Sequence, residues 1–148
     1  DVIICCLGTP ANKAGTLRSD GTKNIINAMK ATHVDRFICQ SSLGFDDSEE
    51  VLKCTSFFFK NMIVPYILKS TFKEHLLQEN AIRQSGLNWT IVRPGSLTNG
   101  KKTEKYKSGF SYADTTLKVK ISRADVAHLI LNQISTKESF QKIIGISY

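Results

Sequence analysis

EHLLQENAIRQSGLNWTIVRPGSLT, residues 74–98, runs through a helix, a stop, a strand and a turn in succession. Leu76, Leu77, Ala81 and Ile82 form an apolar stripe at helical spacing, and Gly86 suits the left-handed residue that ends a helix. Trp89, Ile91 and Val92 then switch to the β-branched and aromatic chemistry of a strand. Pro94 fixes its own backbone angle, and Gly95 allows close approach to a ligand. In open α/β sheets ligands bind at the carboxyl ends of strands, which places a candidate site at Arg93 to Leu97.

Working outward, Val2–Leu7 is apolar on both faces, as a central parallel strand would be, and ends at Gly8-Thr9-Pro10. Asn12–Arg18 reads as a loop. Ser19 or Asp20 could cap a helix from about Gly21 to Ala31, with Ile25, Ile26 and Met29 on its buried stripe. His33 reads as a loop residue or a helix-end cation. Arg36–Gln40 is a second strand, closed by Ser41-Ser42. A polar segment then leads to the apolar run 57–68, broken by Lys60, Asn61 and Pro65, where Phe57, Phe58 and Phe59 read first as core and otherwise as a lid or oligomer surface. A helix over about Ser70–Ser85 precedes the Trp89–Arg93 strand. Gly109–Val119 alternates enough for short strands or a hairpin. Ser122 is the N-cap candidate of another helix with Asp125 at its third position, and Ile143–Tyr148 is a last strand. Strands alternating with helices predict an α/β fold: a parallel sheet covered by helices on both faces.

Composition excludes little but points one way. The 148 residues are 41% hydrophobic and 22% charged, and no run approaches the roughly 20 apolar residues of a membrane span. Cys5, Cys6, Cys39 and Cys54 show no metal-ligand spacing, so no metal is expected, and a reducing, cytoplasmic compartment fits best. Asn88-Trp89-Thr90 matches a glycosylation acceptor but opens a strand, so it is read as chance. The net charge of +7 gathers in Lys101, Lys102, Lys105, Lys107, Lys118 and Lys120. A solvated lysine-rich loop is the favoured reading over nucleic-acid binding, because aromatics are not interleaved with the lysines.

Taken together, the runs Asp1–Thr9, Gly21–Ile26, Arg36–Ser42, Glu74–Thr98 and Ile121–Ala127 resemble an atypical short-chain dehydrogenase/reductase of the NAD(P)H-binding type, similar to the flavin reductase/biliverdin IXβ reductase group. The resemblance implies a Rossmann-like fold with residues 1–148 as one NAD(P)-binding domain, the carboxyl-terminal two-thirds of the family's fold. Two departures stand out. The glycine-rich strand-turn-helix that holds the pyrophosphate is absent: no G-x-x-G-x-x-G or G-x-G-x-x-G occurs. The Tyr-x-x-x-Lys pair of ordinary short-chain dehydrogenases is also missing. Tyr66 and Lys69 stand one residue too close, and the family register puts His75 at the lysine position and Thr71 at the tyrosine position.

The implied function is an NAD(P)H-dependent oxidoreductase passing a hydride to a small conjugated or flavin-like acceptor, with NADP or NAD as cofactor. A catalytically silent NAD(P)-binding regulator or scaffold is the alternative. By the resemblance, Leu7, Gly8 and Thr9 meet the cofactor from the first strand, Ser41 and Ser42 from the second, and Pro94, Gly95, Ser96 and Leu97, with Arg93, line the nicotinamide pocket. His75 and Ser42 are the catalytic candidates. For Ser41-Ser42, plain turn chemistry is an even alternative. His75 and Glu79 share a helix face, so His75 could bond ribose hydroxyls or donate a proton, with a surface helical pair as the even alternative. Arg123 and Asp125 read as helix-start electrostatics. In the family's strand order Val2–Leu7 would lack one neighbour, leaving a hydrophobic edge. The 148 residues are therefore expected to be a fragment that self-associates through that edge and binds NAD(P)H poorly alone.

Overall fold

The computed structural model describes residues 1–10 and 15–148. Five strands form the main sheet: β1 (Val2–Cys5), β2 (Arg36–Gln40), β3 (Asn88–Pro94), β5 (Lys107–Ser108) and β7 (Lys142–Ser147), in the order β1-β2-β3-β7-β5. β1, β2, β3 and β7 are mutually parallel, with Ile3 beside Phe37 and Ile38 beside Thr90, and among the described residues only β5 runs antiparallel, against β7. β4 (Ser96–Thr98) and β6 (Lys120–Ser122) form a separate parallel pair.

Alternation along the central strands feeds two cores, as period-two side-chain geometry requires. Phe37, Cys39, Trp89 and Ile91 point to one face, where Ile26 and Met29 of α1 (Leu17–Ala31) and Ile82 of α2 (Lys69–Arg83) cover them. Ile38, Val92 and Ile146 point to the other, against Val126, Leu129 and Ile130 of α3 (Arg123–Asn132). The expected α/β fold, a mainly parallel sheet with helices on both faces, is what the chain adopts.

Local signals place most boundaries. Gly86 ends the loop after α2 at φ +78°, where a side chain would be strained. His33 stands just past α1 at φ +55°, and Val34 closes that turn by donating to the Met29 carbonyl at 2.9 Å. Ser122 caps α3, accepting from the Asp125 amide at 3.0 Å. The Asp125 carboxylate in turn accepts from the Thr103 and Glu104 amides at 2.8 and 2.9 Å and from the Tyr148 hydroxyl at 2.6 Å, so it pins a loop and the chain's last residue to α3.

Several expectations need correction. α1 begins at Leu17 rather than Gly21 and is capped by neither Ser19 nor Asp20. Ser19 lies inside the first turn, and its hydroxyl bonds back to the Thr16 carbonyl at 3.1 Å. Of the loop expected over Asn12–Arg18, residues 11–14 lie outside the described residues. Among the described residues β1 pairs with β2 alone, so it stands as the expected hydrophobic edge and not as the central strand its apolar run suggested, with Ile3 and Ile4 partly exposed. Gly109–Val119 forms no hairpin: turns fill it, and pairing is confined to Lys107–Ser108 before it and Lys120–Ser122 after it. Phe57 and Phe58 are not core but 83% and 62% exposed, beside a wound segment over Phe59–Leu68 of wide, i→i+5 helical geometry. Pro65 inside that segment cannot donate to the usual ladder, which accounts for the widened winding.

The largest departure is the buried face of α2. It is not the Leu76/Leu77 stripe, since Leu77 is exposed, but Thr71, Glu74, His75, Gln78, Glu79 and Ile82. These polar groups are matched by partners. Arg18 donates to Glu74 from its backbone at 2.6 Å and its guanidinium at 2.5 Å, Gln78 donates to Thr22 at 2.9 Å, and Arg93 donates to both Glu79 oxygens at 2.9 and 2.7 Å. Among the described residues no buried side-chain nitrogen or oxygen lacks a partner. Burial by itself would lower the Arg93 pKa, but the bonds and charge of Glu79 outweigh it and hold the guanidinium firmly charged.

Removing one member of a buried pair strands the other's charge. Glu79→Ala should therefore cost about 3 kcal/mol, the low end for a broken buried pair because Asp47 still reaches Arg93. Leu77→Ala on the exposed face of the same helix should cost under ~0.5 kcal/mol. Urea unfolding midpoints at unchanged slope compare the two, and equal losses would refute this account of α2.

Candidate functional site: a cleft at the carboxyl ends of the strands

Because β1, β2 and β3 are parallel, their carboxyl ends open on one edge of the sheet. The segments that follow them (Cys6–Thr9, Ser41–Leu43 and Gly95–Leu97) converge there on a cleft of about 600 Å³. All ten residues expected to touch a cofactor line it: Leu7, Gly8 and Thr9; Ser41 and Ser42; His75; and Pro94, Gly95, Ser96 and Leu97. The extension of β2 holds its register by backbone bonds to β3, Ser41 N to the Val92 carbonyl at 2.8 Å and Leu43 N to the Pro94 carbonyl at 3.0 Å.

His75 projects from α2 into the cleft and is buried. Its Nδ1 lies 3.3 Å from the Ser41 hydroxyl and 3.2 Å from Gln78 Oε1. An amide oxygen only accepts, so the bond to Gln78 assigns the proton to Nδ1. Gln78 is oriented by its own bond to Thr22, and the Phe45 ring stacks on the imidazole at 5.9 Å. Burial, then the nearby Arg18 charge, push the His75 pKa down to about 4, so the ring is neutral at pH 7. The Ser42 hydroxyl donates to the Leu43 carbonyl at 3.1 Å, the local turn bond that serine chemistry allows.

Two expectations fail at this point. His75 and Glu79 share a helix face, but Glu79 is bonded to Arg93 and Arg83 rather than to the imidazole. Arg93 itself does not line the cleft. Its side chain passes to Glu79 and Asp47, with the Phe45 ring 4.9 Å beneath, because residues alternate faces along β3. Gly95 is needed, though for a different neighbour: a Cβ there would sit 2.6 Å from the Val119 carbonyl carbon. The close approach is to the Val119–Lys120 backbone, and Val119 is itself a lining residue of the cleft.

Sequence reasoning missed the rest of the lining. Phe59, Ile63, Ile67, Leu68 and Phe72, from the wound segment and the start of α2, close one side with apolar surface. The 57–68 run, read first as core and otherwise as a lid or oligomer surface, thus sends Phe59, Ile63, Ile67 and Leu68 to the cleft. Arg18 enters from α1 and ties the Thr9 backbone and hydroxyl, both at 2.9 Å, to Glu74. Arg123, read as a helix-start charge, also lines the cleft. No pattern in the chain marks either arginine as a cleft residue.

Among the described residues no cluster of three or more His, Cys, Asp or Glu is placed to hold a metal, the cysteines are free, and no helix is long and apolar enough to cross a membrane.

Comparisons with known proteins converge on this architecture. Residues 1–137 match the model of the NAD(P)H-binding family. The chain is 29% identical to Protein TIC 62, chloroplastic, from Arabidopsis thaliana over 98% of its own length and 22% of the relative's. That relative is chloroplastic, which lends the cytoplasmic expectation no support. Among solved structures, an anaerobillin reductase from Escherichia coli O157:H7 superimposes with a TM-score of 0.73 at 23% identity, over 98% of this chain and 62% of that one. A short-chain dehydrogenase/reductase from Veillonella parvula in complex with NADP gives 0.71 at 20%, over 99% and 62%. The chain thus spans about a fifth of that curated relative and about three fifths of these solved structures. A family model matched over most of the length, on a Rossmann-like sheet, places this chain in the NAD(P)H-binding family.

Proposed function

We propose that these residues form the nicotinamide-side half of an NAD(P)H-dependent oxidoreductase whose acceptor is small and conjugated or flavin-like. The observation that carries this reading is convergence: ten residues from four separated segments line one cleft, at the sheet edge where α/β folds bind ligands. Its volume lies within the ~300–1,000 Å³ of small-molecule sites.

The residues present fit the nicotinamide end of a dinucleotide. The Leu7–Thr9 and Gly95–Leu97 segments border the cleft, Ser41, Ser42 and Ser96 are among its lining residues, and Phe59, Ile63, Ile67, Leu68 and Phe72 give it an apolar side. When bound, the reduced cofactor supplies the hydride. The chain's part is positioning: Ser41 and His75 act as one hydrogen-bonded unit toward ribose hydroxyls, and Ser42, whose hydroxyl rests on the Leu43 carbonyl, would re-aim it toward an acceptor oxygen on binding. Phe59, Ile63 and Ile67 keep water from the reacting face. The Veillonella neighbour's bound NADP favours NADP over NAD. The silent regulator remains the rival, favoured by one fact: a histidine neutral at pH 7 and bonded on Nδ1 positions better than it protonates.

Turnover separates the two readings. The intact protein should oxidise NADPH with at least one member of a panel of flavins and quinones, and His75→Ala should lower kcat/KM tenfold or more. Binding of NADPH with no turnover across the panel would leave the regulator standing.

The His75 environment has its own signature. Its folded pKa of about 4 lies below the ordinary 6.5, so the unfolded chain binds a proton that the folded chain refuses. Its contribution to stability is complete above pH 6.5 and is lost as pH falls through 4, at most about 3 kcal/mol. His75→Gln should flatten that part of the pH–stability curve. An imidazole titrating near 6.5 by NMR would overturn the assignment.

A further inference from the structure

The cleft has an uneven charge. Among the described residues that line it there is no aspartate or glutamate, while two arginines are present. Arg18 is neutralised from behind by Glu74 at 2.5 Å. Arg123 makes no ion pair among the described residues; its one side-chain bond is to the neutral Asn99 Oδ1, at 2.6 Å, which orients the guanidinium. His75 adds no charge at pH 7.

Position sharpens the point. Arg123, Cys6, Gln40 and Leu97 line both the cleft and a second groove of about 520 Å³, whose remaining wall is apolar: Ile4, Val126, Ala127, Ile130 and Leu131. A ligand that fills the cleft toward this saddle covers Arg123 between apolar surfaces. A guanidinium cannot shed its proton, so covering it without a counter-charge is costly, and a phosphate or carboxylate meets its fork in bidentate fashion.

We propose that Arg123 is the anion anchor of this cleft, taking a phosphate or carboxylate group of the bound ligand. The group is either a phosphate of the dinucleotide or an acidic group on the acceptor, and the arms of the test separate the two. The inference deepens the proposed oxidoreductase reading by naming the charge of what the cleft holds, and it specifies the residue that selects it.

The test uses the full-length protein carrying these residues, as wild type, Arg123→Gln and Arg123→Lys, with circular dichroism to confirm folding. The first arm is independent of catalysis: inorganic pyrophosphate should raise the melting temperature of the wild type, not of R123Q. R123K should keep part of the effect, since it retains charge but loses the fork. The second arm is NADPH affinity by fluorescence titration, and the third the ratio of FMN to riboflavin affinity, two flavins that differ by one phosphate. A tenfold weakening of NADPH in R123Q with an unchanged flavin ratio assigns the anion to the dinucleotide. A tenfold preference for FMN that collapses in R123Q with NADPH unchanged assigns it to the acceptor. Failure of NADPH to turn over would sink the oxidoreductase reading yet leave all three binding arms decisive. If pyrophosphate gives no shift in the wild type and R123Q changes neither affinity measure, Arg123 is a solvated rim residue and the proposal is wrong.

Discussion

The bonds from Arg93 to Glu79, two of them, fasten strand β3 to helix α2 inside the molecule, and the candidate site depends on them. Both side chains are fully buried, and Arg93 is among the largest fully buried side chains described. A charge in that position stays only if its partner is held in place. The pair therefore fixes how far along and how deeply α2 lies over the sheet. One turn earlier on the same helix, that placement delivers His75 to the Ser41 hydroxyl at the end of β2.

The same logic repeats along the helix. Glu74 takes Arg18, and Gln78 takes Thr22, so α1 and α2 meet through polar groups as well as through Ile26, Met29 and Ile82. An apolar interface tolerates small slides, whereas hydrogen-bonded pairs have one register. This network runs beside the cleft: Arg18 holds the Thr9 backbone, Gln78 orients His75, and Phe45 lies between the Arg93 guanidinium and the imidazole. The site is thus rigid on the α2 side and lined by apolar chains on the wound-segment side. Exposed Phe57, Phe58 and Tyr66 cover the outer surface of that wall. The hydride transfer proposed above would use both, a fixed polar wall and an apolar one.

Much was legible from the chain alone, because those features rest on local physics. Gly86 marks the end of the α2 turn through its left-handed backbone, Ser122 caps α3 through its hydroxyl, and the Trp89–Val92 run forms a strand through its side-chain shape. The helix-strand alternation dictated a parallel sheet, and a parallel sheet puts every strand's carboxyl end on one edge. That is why Leu7, Ser42 and Leu97, which the family resemblance assigned to a cofactor, line one cleft despite their distance in the chain.

What only the tertiary structure decided are the partners of groups that pair across long sequence separations. Spacing put Glu79 beside His75, but a carboxylate bonds the strongest donor in reach, and β3 brings Arg93 there. The leucines of α2 suggested its buried face, yet polar residues that find partners bury as readily, so Glu74, Gln78 and Glu79 turned inward and Leu77 outward. Three consecutive phenylalanines looked like core, since hydrophobicity says that a side chain prefers burial but not whether a surface is available to cover it. Arg123 carries the same lesson for function. Its position at a helix start was plain in the sequence, whereas its place in a cleft whose described lining residues include no carboxylate arises only from how α3 packs against the sheet.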